Sequence, residues 1–180
     1  MWWRPVIFAV IVALTGVPAA ASTFSLETSA FLNGGPIPKT DAASTDSCGG
    51  RNLTPPLHVR GFPSSVRSFA IVAFDTDAGG GRGFTHWVAY GIAPLTTTFP
   101  PGFGSQASAA FTGGRNDAGT TVYSGPCPPI GDPPHHYVFT VYALDLAPGR
   151  LRPGLTRAAF LRAIASHTLA QATITGRFSR

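Results

Sequence analysis

Gly125-Pro126-Cys127-Pro128-Pro129-Ile130-Gly131-Asp132-Pro133-Pro134-His135-His136-Tyr137-Val138-Phe139-Thr140-Val141-Tyr142-Ala143-Leu144 decides the fold. Its first half is crowded with proline, which donates no ladder hydrogen bond and fixes φ, so residues 126–134 read as a rigid loop that no strand could absorb. From residue 137 to 145 the chain becomes β-branched and aromatic, the composition of a strand. Alternate side chains of an extended chain share a face, so His135 and Tyr137 point one way and His136 the other. A stiff loop thus delivers one imidazole and one phenol to the same side of a strand.

Working outward, residues 23–28 alternate like a half-buried strand, and residues 66–75 end in the continuous apolar run of a central one. Residues 84–92 form a third strand and residues 172–178 the last. Between them lie turn-rich segments at residues 33–36, 77–81 and 100–102. One helix is expected after Pro153-Gly154, with Thr156 as N-cap and Phe160, Ala163, Ile164 and His167 along one face. Several strands and one late helix predict a mainly β domain in which the helix covers an edge or face of the sheet. The 21 glycines and 17 prolines exclude a helical bundle.

The 180 residues hold one ordinary domain and leave no room for two enzyme units. With 44% hydrophobic and only 12% charged residues, the chain is compact rather than solvated and disordered. Its net charge of +5 arises from few acids, and its arginines are scattered, so nothing tracks a phosphate backbone and nucleic-acid binding is not expected. Residues 1–21 read as a signal peptide: a cationic start through Arg4, the apolar run 6–14, a break at Pro18 and small residues at 19–21. That run is far shorter than the ~20 residues that span a bilayer. Residues 22–180 are then an exported domain, periplasmic or secreted, with no transmembrane segment left after cleavage. Cys48 and Cys127 are the only two cysteines, and an oxidising compartment predicts that they pair. The competing reading, a catalytic thiol at Cys127, has only prolines around it to activate it.

Histidine, acid and tyrosine concentrate in three places: Asp75-Thr76-Asp77-Ala78, the strand opening Phe84-Thr85-His86-Trp87, and the proline loop leading to His135-His136-Tyr137. Together with Ser47-Cys48-Gly49-Gly50-Arg51-Asn52-Leu53-Thr54-Pro55-Pro56-Leu57 and the C-terminal run from His167 to Phe178, these segments resemble the phosphatidylethanolamine-binding protein family, in its bacterial Raf-kinase-inhibitor-like branch. The resemblance spans nearly all of residues 22–180. It implies a central antiparallel sheet, a second small sheet, a C-terminal helix and a small anion pocket at one end of the main sheet. Position by position, the implied ligand-binding residues are Asp75, His86, His135 and Tyr137, with Gly125 and Pro126 as a wall and with Asp77 and Trp87 behind them. Thr76 and Gly79 stand where relatives carry proline, His136 where they carry arginine, and Gly91 where they carry asparagine.

The chemistry agrees with such a pocket. Imidazoles and a phenol can donate to phosphate or carboxylate oxygens, charge-assisted bonds being about twice as strong as neutral ones, while Asp75 orients the histidines. His58 and His167 are read as structural, the latter capping the helix end, and Trp87, Tyr90, Phe139 and Tyr142 as core or sheet aromatics. A hydrolase lacks a Gly-x-Ser-x-Gly elbow, and a zinc site lacks supporting ligand spacing. The expectation is therefore a non-enzymatic binding protein, with no cofactor and no metal, for phosphate, a phospholipid headgroup or a carboxylate. The alternative is an inhibitor or modulator of a protease or kinase-like partner acting through surface loops.

Overall fold

The computed structural model describes residues 23–45 and 47–180; the expected signal peptide lies outside the described residues. Among the described residues, eight strands form two antiparallel sheets. The smaller has the order β1-β2-β5, built from β1 (Ser25–Glu27), β2 (Leu57–Arg60) and β5 (Thr98–Phe99). The larger has the order β6-β4-β3-β7-β8, with β3 (Ser68–Asp75) between β4 (Phe84–Ile92) and β7 (His135–Leu144), and with β6 (Thr112–Gly113) and β8 (Thr168–Phe178) outside them. A distorted helical turn, α1 (Ala78–Gly81), links β3 to β4, and the helix α2 (Arg157–Ile164) precedes β8.

Continuous apolar sequence makes β3 central, because both of its faces must be covered. On one face Phe69, Ile71 and Ala73 join Trp87, Ala89, Phe139 and Val141, and Leu26, Leu57, Val59 and Phe99 of the small sheet close over them. On the other, Ala70, Val72, Val88 and Tyr90 meet Phe160 and Ile164 of α2. Tyr90 and Phe160 stack with ring centres 5.3 Å apart, and the Tyr90 hydroxyl donates to the Arg152 carbonyl at 2.7 Å. Thr156 caps α2 by accepting from the Ala159 N–H at 3.3 Å.

Two strands run longer than their composition predicts. β7 and β8 pair from His135↔Phe178 to Leu144↔Thr168, so β7 starts two residues earlier than expected and β8 four. The added stretch of β8, Thr168-Leu169-Ala170-Gln171, mixes polar and apolar residues with little burial and carries almost no hydrophobic signal. The strands β2, β5 and β6 are too short for periodicity to reveal. His58 lies on β2 with Nδ1 2.8 Å from Thr98 Oγ1, a link between two strands of the small sheet. His167 follows α2, but its side chain does not cap the helix: Nδ1 pairs with Asp145 Oδ1 at 2.8 Å.

Candidate functional site

The ends of β3, β4 and β7 meet at one edge of the large sheet. Register places Asp75 of β3 opposite Tyr137 of β7 and Phe84 of β4. His135 and Tyr137 share a face and are buried, whereas His136 points outward and is exposed. His86 arrives differently. Ala73 pairs with Trp87 and Phe74 with Thr85, so His86 is the extra residue of a β-bulge. Strict alternation would set it on the face opposite Trp87. The bulge brings its ring to 5.2 Å from that of Tyr137 and 4.9 Å from that of Phe84.

The proline loop forms the facing wall and is fixed at several points. Cys48 and Cys127 are joined in a disulfide, with Cα atoms 5.6 Å apart. The Pro126 carbonyl accepts from the Ala43 N–H at 3.0 Å, and Arg180 Nε donates to the Pro128 carbonyl. Asn52 adds a two-sided clamp, donating to the Tyr123 carbonyl at 2.9 Å and accepting from the Gly125 N–H at 2.7 Å. Gly125 must be glycine because a Cβ there would collide with the backbone of Asp41 and Ala42. The resulting cleft has a volume of about 580 Å³ and is lined by Asp75, His86, Gly125, His135 and Tyr137, among others. A larger groove of about 680 Å³ lies on the other side of the loop, between Lys39, Ile130, Arg177 and Arg180, but among the described residues it holds no buried titratable cluster.

Trp87 and Pro126 do not line the cleft. Trp87 packs edge-on against Phe103, Phe111 and Tyr123 in the core, behind the ligand-binding residues. Pro126 is buried behind the wall rather than forming its surface. Asp77 does line the cleft, yet its carboxylate turns to His136, accepting from the backbone N–H at 2.6 Å and lying 3.0 Å from Nδ1. Desolvation is the largest single influence and would raise the Asp77 pKa, but the His136 contacts and Thr76 together outweigh it and hold the pKa below 3.8. Phe84, Ser124, Asp132 and Asn52 also build the site without having been singled out. Each acts through its backbone, through packing or from a loop, for which residue type alone is a poor signal.

Asp75 is fully engaged. Oδ1 accepts from the N–H groups of Asp77 and Ala78 at 2.9 and 3.2 Å, and Oδ2 lies 2.7 Å from His135 Nδ1. It therefore positions the imidazole and leaves ligand contact to others. Burial alone would depress the His135 pKa, but the hydrogen bond and charge of Asp75, with Asp132 and Asp77 beyond, raise it above 6.5. His86 goes the other way: desolvation lowers its pKa, against the opposing pull of the Ser124 carbonyl, to which Nδ1–H donates at 2.6 Å. Among the described residues its Nε2 has no hydrogen-bond partner. Tyr137 is 2% exposed, and its hydroxyl has no well-formed hydrogen bond. Burial, with the nearby Asp75 charge, pushes that phenol well above 10.0. Among the described residues no cluster of His, Cys, Asp or Glu is arranged to hold a metal ion.

These opposite shifts predict a stability maximum near neutrality. Above pH 6.5 the folded state keeps on His135 a proton that the unfolded chain has lost, so stability falls as pH rises through the raised value. Below pH 6.5 the unfolded chain binds a proton that buried His86 resists, so stability falls as pH drops. Urea unfolding between pH 5 and 9 should show both slopes, and His135→Gln should flatten the alkaline one. A wild-type curve level on that side contradicts the assignment.

The family model described as "Phosphatidylethanolamine-binding protein" matches residues 27–179. The chain belongs to the phosphatidylethanolamine-binding protein family. It is similar to UPF0098 protein PH1269 of Pyrococcus horikoshii, 38% identical over 74% of this chain and 68% of the relative. It is also similar to a Mycobacterium tuberculosis protein named as a lipoprotein, LppC, 38% identical over 92% of this chain and 77% of that one. The crystal structure of YbcL from Escherichia coli superposes with a TM-score of 0.80 at 29% identity, covering 88% of this chain and 99% of that chain.

Proposed function

We propose that the protein is an exported, non-enzymatic binding protein whose cleft takes a phosphoryl or carboxylate group, a phospholipid headgroup being the ligand that best suits its open mouth. The observation that carries this reading is Tyr137: a buried phenol lining a solvent-connected cleft, with no well-formed hydrogen bond and only the already engaged Asp75 carboxylate beside it, costs free energy unless something donates to it or accepts from it. His86 supports it, since Nδ1–H is committed to Ser124 and Nε2 is left for a ligand. A binding role is favoured over catalysis because Cys127 is spent in the disulfide and Asp75 is saturated, leaving no activated nucleophile beside the histidines. Export is supported by that disulfide and by the relative named as a lipoprotein. No helix among the described residues is long and apolar enough to cross a membrane.

Calorimetric titration with glycerophosphoethanolamine tests the reading. This phosphodiester keeps its charge across the working range, so any pH dependence belongs to the protein. Affinity should rise as pH falls from 8 to 6, because the approaching anion draws a proton onto His86 Nε2. Tyr137→Phe should weaken binding about fivefold, the worth of one hydrogen bond. Equal affinity in wild type and Tyr137→Phe would sink the proposal.

A further inference from the structure

The far end of the large sheet carries a second charged cavity. β7 is 10 residues long, so its last residue lies about 30 Å from His135 at the cleft. There the segments before β3, after β7 and before β8 enclose about 480 Å³, lined by Arg67, Asp145, Leu146, Ala147, Arg150 and His167. The backbone around it is fixed from several directions. The Arg67 N–H donates to the Leu144 carbonyl at 2.8 Å, the buried Ser68 hydroxyl to the Leu146 carbonyl at 2.6 Å, and the Asp145 N–H to the His167 carbonyl at 3.1 Å. Arg150 follows Gly149, whose φ of 80° closes the turn that returns its N–H toward the Ala147 carbonyl.

Two guanidiniums share this cavity, and among the described residues neither has an ion-pair partner. The one carboxylate present, Asp145, is engaged by His167, whose Nδ1 lies 2.8 Å from Oδ1. Like charges lining one cavity repel each other unless an anion lies between them. The balance is the reverse of that in the cleft, which is lined by three carboxylates and by no lysine or arginine.

We propose that this cavity is a second ligand site, which takes the phosphate of a small phosphate monoester between Arg67 and Arg150. It shares no residue with the cleft and stands apart from the headgroup reading. A guanidinium presents planar N–H donors that match two oxygens of a phosphate at once, and two of them on one cavity can hold it from two sides. With Asp145 set against the two arginines, one net positive charge remains. His167 Nε2, which has no hydrogen-bond partner among the described residues, can take up a proton and add a second. A phosphate monoester carries close to two negative charges above pH 7 and matches that balance, whereas a sulfate ester carries one. The volume exceeds what a lone phosphate fills, and Leu146 and Ala147 offer carbon surface to the rest of a sugar-sized ligand.

The test is an NMR titration of backbone amides at pH 7.5, which reports the two ends of the sheet separately. Glucose 6-phosphate should shift the amides of Arg67, Asp145, Arg150 and His167 in a saturable way. Arg67→Gln and Arg150→Gln should each weaken that binding about tenfold, the worth of a charge-assisted hydrogen bond, and the double variant should abolish it. Both side chains are exposed, so the urea midpoint should stay that of wild type. Tyr137→Phe should leave binding at this end unchanged. Glucose 6-sulfate should bind several-fold more weakly, and glucose should not shift these amides at all. Absence of a saturable shift at the four amides overturns the proposal, as does equal affinity in wild type and the double variant. Equal affinity for the phosphate and sulfate esters overturns the match of charge. Shifts confined to the surroundings of His86 and Tyr137 would assign the phosphate to the cleft, removing this site while leaving the headgroup reading in place.

Discussion

Replacing Asp75 by alanine should cost about 3–5 kcal/mol of stability, the range found when one partner of a buried ion pair is removed. The carboxylate and the His135 ring are 4% and 8% exposed, so water cannot replace the lost partner. Three donors would be orphaned at once: the N–H groups of Asp77 and Ala78 and the Nδ1–H of His135. Urea unfolding at pH 6.5 should show the loss, and the His135 pKa, followed by NMR, should fall once the charge and hydrogen bond that raised it are gone. Asp75→Asn separates the two effects. An amide oxygen can still accept from Asp77 and Ala78, so stability should recover in part, but the asparagine carries no charge and the His135 pKa should stay low. Ligand affinity should fall in both variants, because an unoriented imidazole cannot meet the ligand. A loss below 1 kcal/mol in the alanine variant would show that Asp75 does not organise the site.

Removing the disulfide should have a comparable effect on stability by a different physical route. The bridge joins residues 79 apart in sequence, and in the chain-entropy model closing a loop of that length stabilises the fold by about 4.5 kcal/mol. The effect acts mainly on the unfolded chain, which regains freedom on reduction. The folded cleft should change less, because the loop keeps its other anchors: Ala43 to Pro126, Asn52 to Tyr123 and Gly125, and Arg180 to Pro128 and Ser47. The double variant Cys48→Ser, Cys127→Ser should therefore unfold at much lower urea while retaining affinity for glycerophosphoethanolamine within several-fold of wild type. An unfolding midpoint unmoved by the double substitution would mean that the bridge contributes nothing. A fully lost affinity with modest destabilisation would mean that it shapes the cleft instead.

How far the site could be read from residues depends on how locally each one is placed. His135 and Tyr137 were legible as a same-face pair because alternation along an extended strand is a local rule, and they follow a loop that cannot be strand. The same rule misleads at His86-Trp87. The bulge that turns His86 toward Tyr137 exists only because β4 pairs with β3 in a shifted register, and that shift leaves Trp87 in the core. His167 failed likewise as a helix cap. Its partner Asp145 lies at the far end of β7, brought close by the β7–β8 pairing and invisible to a reading of the helix alone.

The residues by themselves determined a mainly β fold with one late helix, a central apolar strand and a rigid proline wall, because periodicity, proline and helix capping act over a few neighbouring positions. They also determined which cysteines could pair, there being only two. Tertiary structure alone decided which face His86 serves, that Pro126 stands behind the cleft wall, and that the His135 ring sits between Asp75 and Asp132. The reason is physical. Strand register, bulges and the approach of a loop across space depend on contacts between residues far apart in the chain, and no local pattern encodes the distance at which two such groups come to rest.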